Sequence, residues 1–153
     1  MKIGAKYNRG FTLAELVMVV ALIAVLSAMA LPVAKFTVKR QKEAELRLAL
    51  RQMRTAIDEY KRMSDQGLIP ITLGGEGYPE ELEDLVEGIE VVGQETKMRF
   101  LRRIPVDPMT HDDWELRSYQ DDVDATSWGG ENVYDVRTSS EGTALDGTIY
   151  ADW

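Results

Sequence analysis

The chain has 153 residues, 44% hydrophobic and 29% charged, with no cysteine and a formal net charge of −8. Its length suits one domain, and the missing cysteine excludes a disulfide framework, a thiolate metal site and a cysteine nucleophile. The charge is divided: residues 1–62 hold twelve Lys/Arg against five Asp/Glu (+7), and residues 63–153 hold six against twenty-one (−15). A basic half beside an apolar segment suits anionic headgroups, whereas an acidic remainder points away from nucleic acid.

Residues 1–10 form a short basic leader with Lys2, Lys6 and Arg9 that closes on Gly10. From Leu16 to Ala34 follow nineteen residues without a charge, broken in hydrophobicity only by Ser27 and Pro32. As a helix they reach about 28 Å, close to the hydrocarbon thickness of a bilayer. Glu15 stands at the mouth of this segment, where an acid costs about 3 kcal/mol if carried to the bilayer centre. A secretory signal is one reading, with Leu16–Leu26 as the h-region and Ala28-Met29-Ala30 as the cleavage site. Against it stand the unexplained acid at Glu15 and a helical pattern that continues past Ala30. Basic residues lie on both sides of the span, with Lys35, Lys39, Arg40 and Lys42 just after it, so the positive-inside rule does not choose an orientation.

Pro32 removes one backbone hydrogen bond and predicts a kink or local melt. Beyond it Leu46, Leu50, Met53, Ile57 and Tyr60 recur every three or four residues, with Ala49 and Ala56 beside them, which makes one apolar stripe on a charged helix. The pattern predicts a single helix from about Thr12 to Met63. Residues 11–34 form its apolar, membrane-spanning part and residues 35–63 its amphipathic part, which needs a covering surface. Gly67 supplies a left-handed stop.

Residues 64–153 read as a globular α+β head. Leu68–Tyr78 is a glycine-rich loop, Pro79–Val86 a short helix stopped by Gly88, and Lys97–Arg103 a second helical turn ahead of Ile104-Pro105-Val106-Asp107-Pro108. Trp114–Tyr119 and Val133–Thr138 alternate apolar with polar residues as strands do, and Thr148–Tyr150 is a third short strand after a turn at Asp146-Gly147. An antiparallel sheet of these pieces has one face to hide, and the amphipathic half of the helix is its cover.

Little here supports catalysis. His111, the single histidine, lies in a polar turn, and Gly74-Gly75-x-Gly77 lacks the lysine of a phosphate loop. The pairs Glu80-Glu81 and Asp112-Asp113 need not converge on a substrate. Asp121-Asp122-x-Asp124 fails as an EF-hand loop, since Ser127 and Val133 occupy its glycine and glutamate positions. Trp114, Trp128 and Trp153 read as core or loop anchors.

Gly10-Phe11-Thr12-Leu13-Ala14-Glu15 before the apolar run resembles the class III signal of type IV pilins and type II secretion pseudopilins. The resemblance implies a pilin-like fold and a prepilin peptidase that cuts between Gly10 and Phe11 and N-methylates Phe11. It also implies a Glu15 that pairs with the new amine of a neighbouring subunit during assembly. Pro32 falls where many family members have proline, whereas Ala14 replaces a bulkier aliphatic residue. Tyr78-Pro79, Phe100–Pro108, Trp114, Tyr119, Asp135-Val136 and Trp153 are similar to the head of the major, G-type pseudopilin. That likeness implies a homopolymeric filament in the periplasm, built from a single-pass inner-membrane precursor. Its partners would be minor pseudopilins, an inner-membrane platform and an assembly ATPase, and its role to help drive protein export across the outer membrane. A type IV pilin of an adhesion, motility or DNA-uptake pilus is the alternative. The resemblance further implies a structural calcium ion in a C-terminal loop. Glu141 and Asp146 are the counterparts of its ligands, in a shorter loop with altered spacing.

Mass spectrometry of the mature N-terminus separates the filament readings from a secreted soluble domain. An N-methylated Phe11 is expected, and a chain beginning at Leu31 would contradict the resemblance.

Overall fold

The computed structural model describes residues 10–72, 75–93, 96–123, 125 and 127–153. The basic leader residues Lys2, Lys6 and Arg9, together with Gly74 and Asp124, lie outside the described residues. The fold is α+β: a long helix α1 (Leu13–Asp65), a short helix α2 (Asp84–Glu87), two strands β1 (Glu115–Arg117) and β2 (Asp135–Arg137), and a closing 3₁₀ turn at Tyr150–Asp152. The chain divides into two compact units, one ending at Lys39 and the other Arg40–Trp153. Helix α1 from Arg40 onward therefore belongs to the same unit as the residues after it, while residues 35–39 of the expected amphipathic part fall in the first unit.

Helix α1 begins on Thr12, whose hydroxyl accepts from the Glu15 backbone N–H at 3.2 Å and whose carbonyl accepts from Leu16 N–H at 3.1 Å. Threonine followed three residues later by glutamate is the sequence pattern of a helix start. The helix ends in a Schellman motif. Gly67, at φ +73°, donates to the Ser64 carbonyl (2.8 Å), and Leu68 N–H reaches back to Met63 (3.1 Å). The left-handed backbone there is the position that glycine fills without steric cost. Helix α1 runs unbroken through Pro32, so no local melt occurs there. Proline removes one rung of the ladder, and the many others hold the helix.

Within Arg40–Trp153 the core is built on one face of α1. Leu46, Ala49, Leu50, Met53, Ala56, Ile57, Tyr60 and Met63 are all buried, and Ile69, Leu82, Leu85, Val91, Trp114, Val133 and Val136 pack with them. The predicted stripe is thus the buried stripe, covered by the head as its pattern required. Each large side chain hidden this way stabilises by about 1.5–3 kcal/mol.

The sheet is smaller than the alternation suggested. β1 and β2 pair antiparallel, with Glu115 opposite Arg137, Leu116 opposite Val136 and Arg117 opposite Asp135. The third expected strand is absent. Thr143 and Ile149 make one isolated bridge, and the chain then turns into the 3₁₀ segment. Tyr150 N–H bonds Gly142 and Ala151 N–H bonds Ser140, so this hairpin spends its donors on itself and none on β2. Lys97–Arg103 is not helical either. Met98 pairs with Ile89 in both directions (2.9 and 3.0 Å), and the N–H groups of Phe100 and Leu101 both go to the Leu85 carbonyl. Donors captured by α2 and its flank cannot close a helical turn. Gly88 makes this approach feasible: at φ +84° a Cβ there would stand 2.8 Å from the Met98 carbonyl oxygen. Helix α2 is also shorter than Pro79–Val86, because the Asp84 carboxylate gathers the N–H groups of Glu80 and Glu81 into a turn ahead of it.

Polar contacts tie the layers together. Arg54 of α1 donates to the Asp135 carboxylate (2.7 Å) and to the Val136 carbonyl (3.2 Å). Fully buried Asp107 accepts from Met109 N–H (2.7 Å) and from the hydroxyls of Thr110 and Thr138. Glu43, only 4% exposed, accepts from Leu145 N–H (2.8 Å) and from the Tyr150 hydroxyl (2.9 Å). Burial, the hydrogen bond to Glu43 and its charge push Tyr150 up to about 12. Burial, with Asp84 and Glu80 nearby, does the same to Tyr60.

Two consequences can be measured. Ile57→Ala in the detergent-solubilised chain is expected to lower unfolding stability by about 2–5 kcal/mol, and an unchanged denaturation midpoint would contradict a core centred on α1. A tyrosine held neutral by the fold contributes stability that is complete below its unfolded value of about 10 and is lost as pH rises toward about 12. In a phenolate titration Tyr150→Phe should therefore remove one late-ionising component and soften the alkaline fall in stability. A late component of undiminished amplitude would contradict the Tyr150–Glu43 contact.

Candidate processing and assembly site

Gly10 is exposed, and a Cβ built on it would meet nothing within 4 Å. Its φ is not in the left-handed range, so neither space nor backbone conformation in this fold calls for glycine there. Phe11 follows at 81% exposure and Leu13 at 82%. A small residue that the fold does not need, next to an unshielded aromatic, is what a peptidase subsite would select.

Glu15 sits in the first turn of α1, exposed, where the positive end of the helix dipole favours an acid. That is its local role. Its backbone N–H is satisfied by Thr12, while its carboxylate pairs with none of the described residues. Thr12, where the helix is expected to begin, has a capping role that the Thr-x-x-Glu spacing signals. Leu16, Val17, Met18, Val19, Val20, Leu22, Ile23, Val25, Leu26, Val33 and Phe36 are all substantially exposed. The described side chains in this part of α1 are therefore apolar and exposed on every side, and the helix is long and apolar enough to cross a membrane. Unpaired side chains of this kind stabilise only in lipid or against other apolar helices.

The C-terminal loop is a different matter. Asp146 accepts from both the N–H (3.1 Å) and the hydroxyl (2.6 Å) of Thr148 and faces Arg47 at 3.4 Å. The Thr148 bonds, aided by Arg47, hold its carboxyl below the usual carboxylate value. Glu141 is exposed nearby in sequence. Calcium takes six to eight oxygens. Among the described residues no three acidic or histidine side chains gather into a ligand set.

The other sequence candidates are dispersed. His111 is exposed, in a left-handed turn at φ +63° with its N–H on the Asp107 carbonyl. The three tryptophans act as anchors: Trp114 Nε1 donates to the Pro105 carbonyl (2.7 Å), Trp128 Nε1 to the Asn132 carbonyl (2.9 Å) and Trp153 Nε1 to the Thr148 hydroxyl (2.7 Å). Glu43 was also missed. It lies three residues before Leu46, on the apolar stripe, and an acid at such a position is the available signal of a buried polar anchor.

Residues 5–31 match the family model described as the prokaryotic N-terminal methylation motif. No curated protein and no solved structure matches the chain. The match covers Gly10, Phe11, Glu15 and most of the exposed apolar part of α1. The chain carries a prepilin-type methylation motif, and this supports a place among the type IV pilin-like and pseudopilin proteins.

Proposed function

We propose that this chain is a major pseudopilin, the subunit of a periplasmic filament in a type II secretion system. In this reading a prepilin peptidase cuts between Gly10 and Phe11 and methylates the new amine. The precursor waits in the inner membrane as a single-pass protein with residues 64–153 in the periplasm. A platform protein and an ATPase then extract it into the filament, whose growth helps drive export across the outer membrane.

One observation carries the reading: Glu15, whose carboxylate has no ion-pair partner among the described residues, heads an exposed apolar helical segment within the methylation motif. An amine carried into a bundle of apolar helices is expensive alone, and a carboxylate of the same depth on a neighbour offsets that cost. The pair forms only when the two subunits stand at one axial offset, so the same interaction drives addition and sets register. The pseudopilin reading, rather than an adhesive pilin, draws its support from the likeness of Tyr78-Pro79, Phe100–Pro108 and Trp153 to G-type heads. The lack of a cysteine pair points the same way.

Glu15→Ala keeps the Thr12 cap, since that bond uses the backbone N–H. Processing at Gly10 should therefore remain normal, while filament yield collapses, and Glu15→Gln should fail as well because it keeps the shape and loses the charge. Normal filaments from either variant, seen by electron microscopy and shearing, would refute the charge pair.

A further inference from the structure

Along α1 and beside the segment 146–153 runs a cleft of about 530 Å³, lined by Arg47, Arg51, Arg54, Asp58, Thr148 and Trp153. Two of its arginines are committed. Arg47 lies 4.1 Å over the Trp153 ring and 3.4 Å from Asp146, and Arg54 is held by Asp135. Arg51, one turn from each, is exposed and has no acidic partner among the described residues. It also borders a second cleft, where it meets Arg102 and Arg103, both exposed and outside any ion pair among the described residues. Guanidinium groups are thus concentrated on one face of a chain whose net charge is −8.

The opposite surface exists on the same unit. Glu80, Glu81, Glu83, Glu87 and Glu90 are exposed, enter no ion pair among the described residues, and have no Lys or Arg between them. Their backbone is fixed by Asp84, which gathers the N–H groups of Glu80 and Glu81, and by the Leu85 carbonyl, which holds Phe100 and Leu101. The Phe100 ring packs on Tyr60 at 5.5 Å, so the ridge lies beside Tyr60. Arg51 is nine residues earlier, about 13 Å back along the helix. The two surfaces are complementary in sign, both unsatisfied, and at different axial levels, so a copy can answer its neighbour but the contact does not close on itself.

We propose that the arginine-lined cleft around Arg51 receives the glutamate ridge around α2 of a second copy, and that this head-to-head contact repeats along the filament. The proposal rests on the filament reading above and names the surface that holds the heads in register. A guanidinium fork matches a carboxylate in two parallel hydrogen bonds, which gives the contact direction as well as attraction.

The native chain contains no cysteine, so introduced thiols report this contact without background. Full-length chains carrying both Arg51→Cys and Glu83→Cys are assembled in cells with the secretion machinery, and the sheared filaments are oxidised. A ladder of disulfide-linked multimers is expected, absent from each single variant, whereas dimers alone or no cross-links would overturn the proposal. Arg51→Glu should cut filament yield about tenfold, and adding Glu83→Arg to the same chain should restore it. Wild-type yield from Arg51→Glu, or no recovery in the double reversal, counts against the contact. Absence of filaments from the unmodified chain would instead remove the filament reading on which it stands.

Discussion

The buried stripe of α1 is the constraint on which Arg40–Trp153 depends. Two strands of three residues and a helix of four cannot enclose a core among themselves. They become stable only by laying their apolar faces on Leu46, Leu50, Met53, Ile57 and Tyr60. Polar ties then fix the layers at two heights of the helix: Glu43 to Leu145 and Tyr150, and Arg54 to Asp135 and Val136. Each tie satisfies a group that would otherwise be costly to cover, so the contacts specify position more than they add stability.

The same helix changes solvent along its length. Near its start the side chains are apolar on all faces and exposed, and past Arg40 only one face is apolar and it is buried. A segment of the first kind requires lipid or other copies, and a segment of the second kind requires its own head. This division explains why an acid is tolerable at Glu15. It stands in the first turn, where the helix dipole favours it. Gly10 tells a related story from the other side, since nothing in this fold requires a glycine there.

Local patterns were legible where one rule sufficed. The apolar periodicity located the buried face of α1, Gly67 marked its end, and the alternations around Leu116 and Val136 located both strands. Legibility failed where backbone donors had several competing acceptors. Lys97–Arg103 carries helix-forming residues, yet Leu85 and Ile89 take its N–H groups. Thr148–Tyr150 has strand composition, yet the hairpin closes on Gly142 and Ser140. Of the candidate site, the motif that holds Gly10, Phe11 and Glu15 was readable because it is a run of consecutive residues. Glu43 and the Arg51 cleft were not, because their partners lie about a hundred residues away or on other elements.

What the sequence determined unaided is therefore the motif, the long helix and its two kinds of surface, all of which follow from spacing within a few residues. The three-dimensional arrangement alone decided that, among the described residues, the sheet has two strands, Asp107 and Glu43 are buried hubs, and Arg51 has no acidic partner beside committed neighbours. Those outcomes depend on which of several equally suitable partners a group meets. Chain connectivity over long range, not local preference, makes that choice. Glu15 belongs to both accounts: its place was written in the motif, and its lack of an ion-pair partner among the described residues became evident only in the folded chain.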